Sequence, residues 1–210
     1  MINILIVDDH AIVRKGIRQI LLETSDKYAV EEACNGQEAL EKVYKNNYDL
    51  VLMDISMPGR SGLDILKQLK QEKPKVPVII LSVYPEEQYA VRALKTGAAG
   101  YLTKESAPEE LIRAIRKVSR GGGKYVTASI AEKLASAIGI DLEKLPHEDL
   151  SNREYQVLCM IASGKTATQI SEELSLSVKT VSTYRTRILG KMGMKNNAEL
   201  THYAVKNSLV

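Results

Sequence analysis

Asp8 and Asp9, Asp54, Ser82 and Lys104 are far apart in the chain, yet each follows a short apolar run. Ile4-Leu5-Ile6-Val7 precedes Asp8-Asp9, and Leu50-Val51-Leu52-Met53 precedes Asp54. Val78-Ile79-Ile80-Leu81 precedes Ser82, and Gly100-Tyr101-Leu102-Thr103 precedes Lys104. Uninterrupted apolar runs of this length suit parallel strands buried on both faces. If the strands are parallel, their carboxyl ends share one edge, and three acids, a hydroxyl and an ammonium meet there. Crowded carboxylates repel one another and take up protons unless a cation joins them. Three carboxylates with no histidine among them favour a hard divalent ion with oxygen ligands, and Mg²⁺ fits best. One carboxylate can then attack a phosphoryl group, while the metal and Lys104 offset charge on its oxygens and Ser82 donates to one of them.

The intervening segments must supply that edge. Strand signals at Ile2–Val7, Tyr28–Cys34, Leu50–Met53, Val76–Leu81 and Gly100–Thr103 alternate with helical spacing. The helices are expected over Ala11–Thr24, Gly36–Tyr44, Gly62–Leu69, Glu86–Lys95 and from Pro108 to about Ser119. Five strands alternating with five helices predict an α/β fold, a parallel sheet covered on both faces. Ligands in such sheets bind beyond the carboxyl ends of the strands, where the strand order reverses. The acids fall in that place.

The chain has 210 residues, which favours two modest domains over one. It contains no Trp and no Phe, so Leu, Ile, Val and Met must fill the cores. No apolar run approaches the roughly 20 residues that span a bilayer. The start, Met1-Ile2-Asn3-Ile4, lacks the pattern of a signal peptide, so a cytoplasmic protein is expected, with no membrane partner. Cys34 and Cys159 fall in different expected domains and read as small apolar residues rather than a disulfide or metal pair. Residues 1–120 hold 18 basic and 17 acidic side chains, residues 121–150 hold 3 and 5, and residues 151–210 hold 8 and 4. The last 60 residues are thus the basic end, as a nucleic-acid module would be.

Gly121-Gly122-Gly123 reads as a flexible joint, Ile130–Ile138 as a short helix and Gly139–Leu150 as an acidic linker. Beyond it, helix follows helix. Ser151-Asn152-Arg153-Glu154 and Thr166-Ala167-Thr168-Gln169 are capping boxes. Ser177 caps a helix from Val178 to about Met192, and Asn197 is expected to cap a fourth. Helix, short turn, helix is the arrangement that places a second helix in the major groove. On a helical wheel, Val181, Tyr184 and Ile188 form the inner side of that helix. Lys179, Ser182, Thr183 and Thr186 form the outer face, with Arg185 and Arg187 toward its flanks. Short hydroxyls allow deep seating, while Lys and Arg meet phosphates or base edges.

The segments Ile6-Val7-Asp8-Asp9-His10, Leu52-Met53-Asp54-Ile55-Ser56-Met57-Pro58, Leu81-Ser82 and Tyr101-Leu102-Thr103-Lys104 resemble the signature segments of response-regulator receiver domains. Leu150–Glu154, Ile161–Lys165, Gln169–Ser171 and Lys179–Tyr184 resemble the LuxR-type helix-turn-helix. Together they resemble a two-domain regulator of the NarL/FixJ type. That resemblance implies a flavodoxin-like (βα)5 receiver over 1–120, a linker over 121–147 and an all-α four-helix DNA-binding domain over 148–210. It implies that Asp54 is the phosphoacceptor and that Asp9, with Asp8 beside it, Asp54 and the main-chain carbonyl of Ser56 hold Mg²⁺. Lys104 would contact the phosphoryl group. Ser82 and Tyr101 would form a switch pair, the ring of Tyr101 turning inward as Ser82 moves to the phosphate. Thr180 joins Lys179, Ser182, Thr183, Arg185, Thr186 and Arg187 as a DNA contact. The implied partners are a sensor histidine kinase, double-stranded DNA and a second copy of the chain, with the last helix at the dimer contact.

Two positions depart from the commonest receiver pattern. Val83 is larger than usual beside the switch hydroxyl, and Tyr84 is large enough to flank the pocket. Tyr184 and Ser182 replace residues common in the DNA-binding family, so base preference is open. His10 is read as a helix-start residue. A turnover phosphatase would need a second acid two residues after the nucleophile, and Ser56 stands there. A constitutive DNA-binding protein using its receiver only to dimerise is the alternative. Gly121-Gly122-Gly123-Lys124 has the wrong spacing for a nucleotide-binding loop.

Overall fold

A computed structural model of the chain describes residues 1–138 and 145–210. It contains two compact units, Met1–Ala131 and Glu132–Val210. No helix among the described residues is long and apolar enough to cross a membrane.

The first unit is a five-stranded parallel sheet in the order β2-β1-β3-β4-β5. Its strands are β1 (Ile2–Val7), β2 (Tyr28–Ala33), β3 (Leu50–Asp54), β4 (Val78–Ser82) and β5 (Gly100–Thr103). Helices α1 (Ala11–Leu22), α2 (Gly36–Lys45), α3 (Gly62–Glu72), α4 (Glu86–Thr96) and α5 (Pro108–Gly121) alternate with them. Side chains along a strand alternate between faces. Ile4, Ile6, Leu50, Leu52, Ile79, Leu81 and Leu102 therefore share one face, packed under Ile17 and Leu21 of α1 and Leu111, Ile115 and Val118 of α5. Burial on both faces is why β1, β3 and β4 read as unbroken apolar runs. Asp54 and Ser82 are not the first residues beyond their strands, as expected, but the last residues within them.

The strand order reverses beside β1, and the acids of β1 and β3 open there. Register locks them: Val7 pairs with Met53, Asp54 with Leu81, and Ser82 with Thr103. Gly97 adopts φ 109° to end α4, a left-handed conformation that a Cβ disfavours.

The triple glycine differs from a free joint. Gly122 ends α5 at φ 60°, but the chain then returns to the sheet. Tyr125 bridges Gly100 in parallel, and its N–H donates to the Ala99 carbonyl at 2.7 Å. The Tyr125 hydroxyl donates to Glu110 at 3.2 Å, and Lys117 lies 5.8 Å from its ring centre. Thr127 donates to Glu86 at the start of α4, at 2.8 Å. Helix α6 begins at Ala128, two residues before the expected start.

The second unit is helical: α7 (Asn152–Ala162), α8 (Ala167–Glu173), α9 (Val178–Met192) and α10 (Asn197–Lys206). Both expected capping boxes form, Ser151 with Glu154 and Thr166 with Gln169. Such caps each contribute about 1 kcal/mol and fix where a helix starts. Asn196, not Asn197, caps α10, accepting from the Glu199 N–H. Leu158, Ile170, Leu174, Val181, Ile188, Leu200 and Ala204 are buried. The expected linker is only partly one. Residues 139–144 lie outside the described residues, but Pro146–Asp149 forms a 3-10 turn and Leu150 is buried. Proline at the first position of that turn sacrifices no needed donor, so the residue that suggested a linker instead starts the turn.

Candidate acidic site and nucleic-acid interface

The carboxyl ends of β1, β3, β4 and β5 gather the expected residues. Asp8 and Asp54 are each 2% exposed and Ser82 is fully buried. The Lys104 ammonium lies 2.6 Å from Asp8 Oδ2 and 2.9 Å from Asp54 Oδ2. Its placement follows from the chain beneath it, since the Lys104 N–H donates to the Ser82 carbonyl at 2.7 Å. Asp54 Oδ1 accepts from the Ser56 N–H at 3.2 Å, and Asp8 Oδ1 from the His10 N–H at 2.8 Å. Arg14 holds the Asp8 carbonyl at 2.7 Å.

Burial pushes the Asp54 carboxyl above its ordinary pKa, although Lys104 opposes the shift. For Lys104, burial favours the neutral amine, but Asp54 and Asp8 outweigh it and hold the group above its usual range. A carboxyl that binds its proton more tightly when folded costs stability as pH rises from its unfolded value to its folded one. In divalent-free buffer at neutral pH, Asp54→Asn is therefore expected to raise Tm. The gain should shrink as pH falls toward 4. Thermal melts of both proteins across that pH range check it; an Asn variant less stable at neutral pH would contradict the argument.

His10 stands at the N-cap of α1, as a helix-start residue should, and its imidazole also reaches the acids. His10 Nδ1 lies 3.0 Å from Asp9 Oδ1 and 3.3 Å from Asp8 Oδ1. Ligand atoms of Asp8, Asp9, His10 and Asp54 all fall within 4.8 Å of one another, so together they could hold a metal ion. Oδ2 of Asp8 and Oδ1 of Asp9 are buried without an aligned hydrogen-bond donor, and a cation would satisfy both. The available signal was adjacency: His10 follows the two acids directly.

Tyr84 links the expected switch pair. Its N–H donates to Ser82 Oγ at 3.1 Å, and its carbonyl accepts from the Tyr101 hydroxyl at 2.8 Å. Tyr101 is fully buried, so its ring lies inward here, and burial pushes its phenol pKa up. The Tyr84 ring stacks on Tyr89, with centroids 4.8 Å apart. Val83 is 61% exposed and fills no interior space. A residue the spacing did not flag is Gly62, whose missing Cβ makes room for the Asp54 carbonyl.

In the second unit, Val181 and Ile188 are buried and Tyr184 only partly so, narrowing the expected inner face of α9. Lys179, Ser182, Thr183, Thr186 and Arg187 are exposed on the other side, with Thr180 half-buried. Thr183 and Thr186 donate back to the carbonyls of Lys179 and Ser182. Arg185 donates through Nε to Asn197 at 2.5 Å, so part of its guanidinium serves α10.

Residues 4–116 match the response regulator receiver domain family, and residues 148–204 match the luxR family of bacterial regulatory proteins. The chain belongs to the response-regulator family. It is a two-component response regulator of the NarL/FixJ type, with a receiver and a LuxR-type DNA-binding domain. It is 41% identical over 210 residues to response regulator UvrY of Escherichia coli (strain K12), covering 100% of this chain and 96% of the relative. It is 37% identical over 211 residues to response regulator GacA of Pseudomonas aeruginosa, covering 100% and 98%. Among solved structures it is similar to RcsB of Salmonella enterica serovar Typhimurium bound to promoter rprA with the phosphomimetic BeF3-. That match has TM-score 0.63 and 28% identity and covers both chains completely. The regulator is not a metabolic enzyme.

Proposed function

We propose that the regulator accepts a phosphoryl group on Asp54 and that this controls its binding to double-stranded DNA. The reading rests on the Lys104 ammonium, held 2.9 Å from Asp54 Oδ2 and 2.6 Å from Asp8 Oδ2 at one end of a parallel sheet. A sensor histidine kinase supplies the group. An Asp54 oxygen forms a bond to phosphorus as the phosphorus–nitrogen bond of the donor histidine breaks, leaving an acyl phosphate and a free imidazole. Lys104 neutralises the arriving oxygens, and the Ser82 hydroxyl donates to one of them. Asp8, Asp9, Asp54 and the main-chain carbonyl of Ser56 hold Mg²⁺, which supplies charge neutralisation at the phosphoryl oxygens. The chain modifies itself and turns over no substrate.

Ser82 and Tyr101 act as the switch pair, and both reach Tyr84, the residue that leads into α4. A shift of Ser82 toward a phosphoryl group releases the Tyr84 N–H and biases a two-state equilibrium. The phosphorylated regulator works in the cytoplasm as a homodimer, residues 1–120 receiving and residues 148–210 binding DNA. Lys179, Thr180, Ser182, Thr183, Thr186 and Arg187 meet the DNA, and Arg185 contributes from the flank.

DNA selected from a random pool by the phosphorylated protein supplies the test. Phosphodonor with Mg²⁺ is expected to tighten binding to that DNA, and Asp54→Ala to remove the increase. Equal affinity with and without donor would instead favour a constitutive binder. Lys179→Ala should weaken binding about tenfold, within the range for loss of a base contact. Arg187→Ala should lower the salt dependence more than Arg185→Ala does, because Arg185 is engaged by Asn197.

A further inference from the structure

We propose that His10 is a metal ligand that gives the acidic pocket a preference for first-row transition-metal ions over magnesium. The proposal rests on reading this pocket as a divalent-ion site. It adds a nitrogen donor to a ligand set otherwise made of oxygens.

Three observations carry it. The imidazole Nδ1 is 3.0 Å from Asp9 Oδ1 and 3.3 Å from Asp8 Oδ1. Around an ion with bonds of about 2.1 Å, neighbouring octahedral ligands sit about 3 Å apart. Both separations suit neighbouring ligands of one ion, and ligand atoms of Asp8, Asp9, His10 and Asp54 lie within 4.8 Å of one another. Next, Asp8 is 2% exposed, and its Oδ2 has no aligned hydrogen-bond donor. Its near neighbour is the Lys104 ammonium, 2.6 Å away. A second cation facing Asp8 and Asp9 would add to the charge that Lys104 sets against these acids. Finally, the imidazole's hydrogen bond and ion pairs go to these acids. His10 stands at the N-cap of α1, yet its side chain makes no cap hydrogen bond. It is 62% exposed, so packing does not hold it over the acids.

The donor set decides the metal. Magnesium takes oxygens and gives up its water reluctantly. Imidazole suits zinc, nickel, copper and iron, and affinity for nitrogen and oxygen sites rises from manganese to copper. Three carboxylates alone would leave that order shallow, and one imidazole steepens it. A transition-metal ion would then occupy the pocket at concentrations where magnesium does not. The pocket would respond to the metal composition around it as well as to the phosphodonor.

The test is calorimetric titration of the full chain with Ni²⁺ and separately with Mg²⁺. The native protein, His10→Ala, His10→Gln and Asp9→Asn are compared, each checked for an unchanged melt. Both His10 variants are expected to weaken Ni²⁺ by about tenfold or more, with Mg²⁺ changed by less than about twofold. Asp9→Asn should weaken both ions, which places the nickel in this pocket rather than at His147 or His202. Unchanged Ni²⁺ affinity in the His10 variants would overturn the proposal. So would an equal loss for both ions, since His10 would then only position Asp8. Unchanged Mg²⁺ affinity in Asp9→Asn would instead sink the reading of the pocket as a divalent-ion site.

Discussion

Asp54→Asn is expected to abolish Mg²⁺-dependent phosphoryl incorporation from a small donor such as acetyl phosphate, by more than about a thousandfold. An amide oxygen is a poor nucleophile and would not form a stable acyl phosphate. The substitution removes the charge facing Lys104 but keeps the side chain's shape. An asparagine oxygen can still accept from the Ser56 N–H that now bonds Asp54 at 3.2 Å, and the side chain keeps its volume. Asp8 is the other carboxylate beside Lys104, equally buried, and must be distinguished from Asp54. Asp8 is held by the His10 N–H at 2.8 Å, its Oδ2 pairs with the Lys104 ammonium at 2.6 Å, and it belongs to the group that could hold a metal ion. Asp8→Asn should thus reduce labelling and raise the Mg²⁺ needed, while leaving label on Asp54. Intact mass and peptide mapping after reaction give both results. Undiminished labelling of Asp54→Asn would remove that residue from its role.

The second large effect is structural. Gly62→Ala is expected to destabilise the receiver by about 3 kcal/mol or more, the upper end of what overpacking costs. A Cβ there would stand 1.9 Å from the Asp54 carbonyl oxygen, 2.8 Å from its carbon and 3.1 Å from Ile55 Cα. These atoms are backbone, so no side-chain rotation relieves the clash. The Gly62 N–H also donates to the Ile55 carbonyl at 2.9 Å, holding the two segments at that distance. Helix propensity argues the other way, since alanine is favoured over glycine by about 1 kcal/mol within a helix. The sign of the result therefore separates the two effects. Gly36 is a useful contrast. Its Cβ would meet Ile65 Cγ1 at 2.5 Å, in a side chain that can turn, so Gly36→Ala should cost less. Urea unfolding of the three proteins gives the comparison, and a neutral or stabilising Gly62→Ala would refute it. Any folded fraction should label slowly, because the strand end that carries Asp54 has to move.

These cases also mark what could be read before a structure. The acids were legible because buried parallel strands leave continuous apolar runs, and a charge can stand only where such a run reaches the edge. The capping boxes at Ser151 and Thr166 were legible because both partners lie within one turn. Contacts between distant residues were not. Nothing in the spacing joins Gly62 to Asp54, Arg185 to Asn197, or Tyr125 to Gly100. Composition misled at Pro146–Asp149, where a proline and acids suit a 3-10 turn as well as a linker. His10 was legible as a helix-start residue, and it is the N-cap of α1, but its reach to the acids was not. Beyond the strand end the alternation of faces lapses, and the chain turns its imidazole back over the acids.

The return of Tyr125 to the sheet bears on how copies of this chain can associate. A strand at a sheet margin normally presents a row of unpaired backbone groups that another chain can extend. On β5 that row is only four residues long, and Tyr125 occupies its first position. A Cβ on Gly100 would lie 3.2 Å from the Tyr125 Cβ, so even the choice of glycine serves this closure. The margin is blunted by the protein's own chain. Fibre-like growth through β5 is thereby disfavoured.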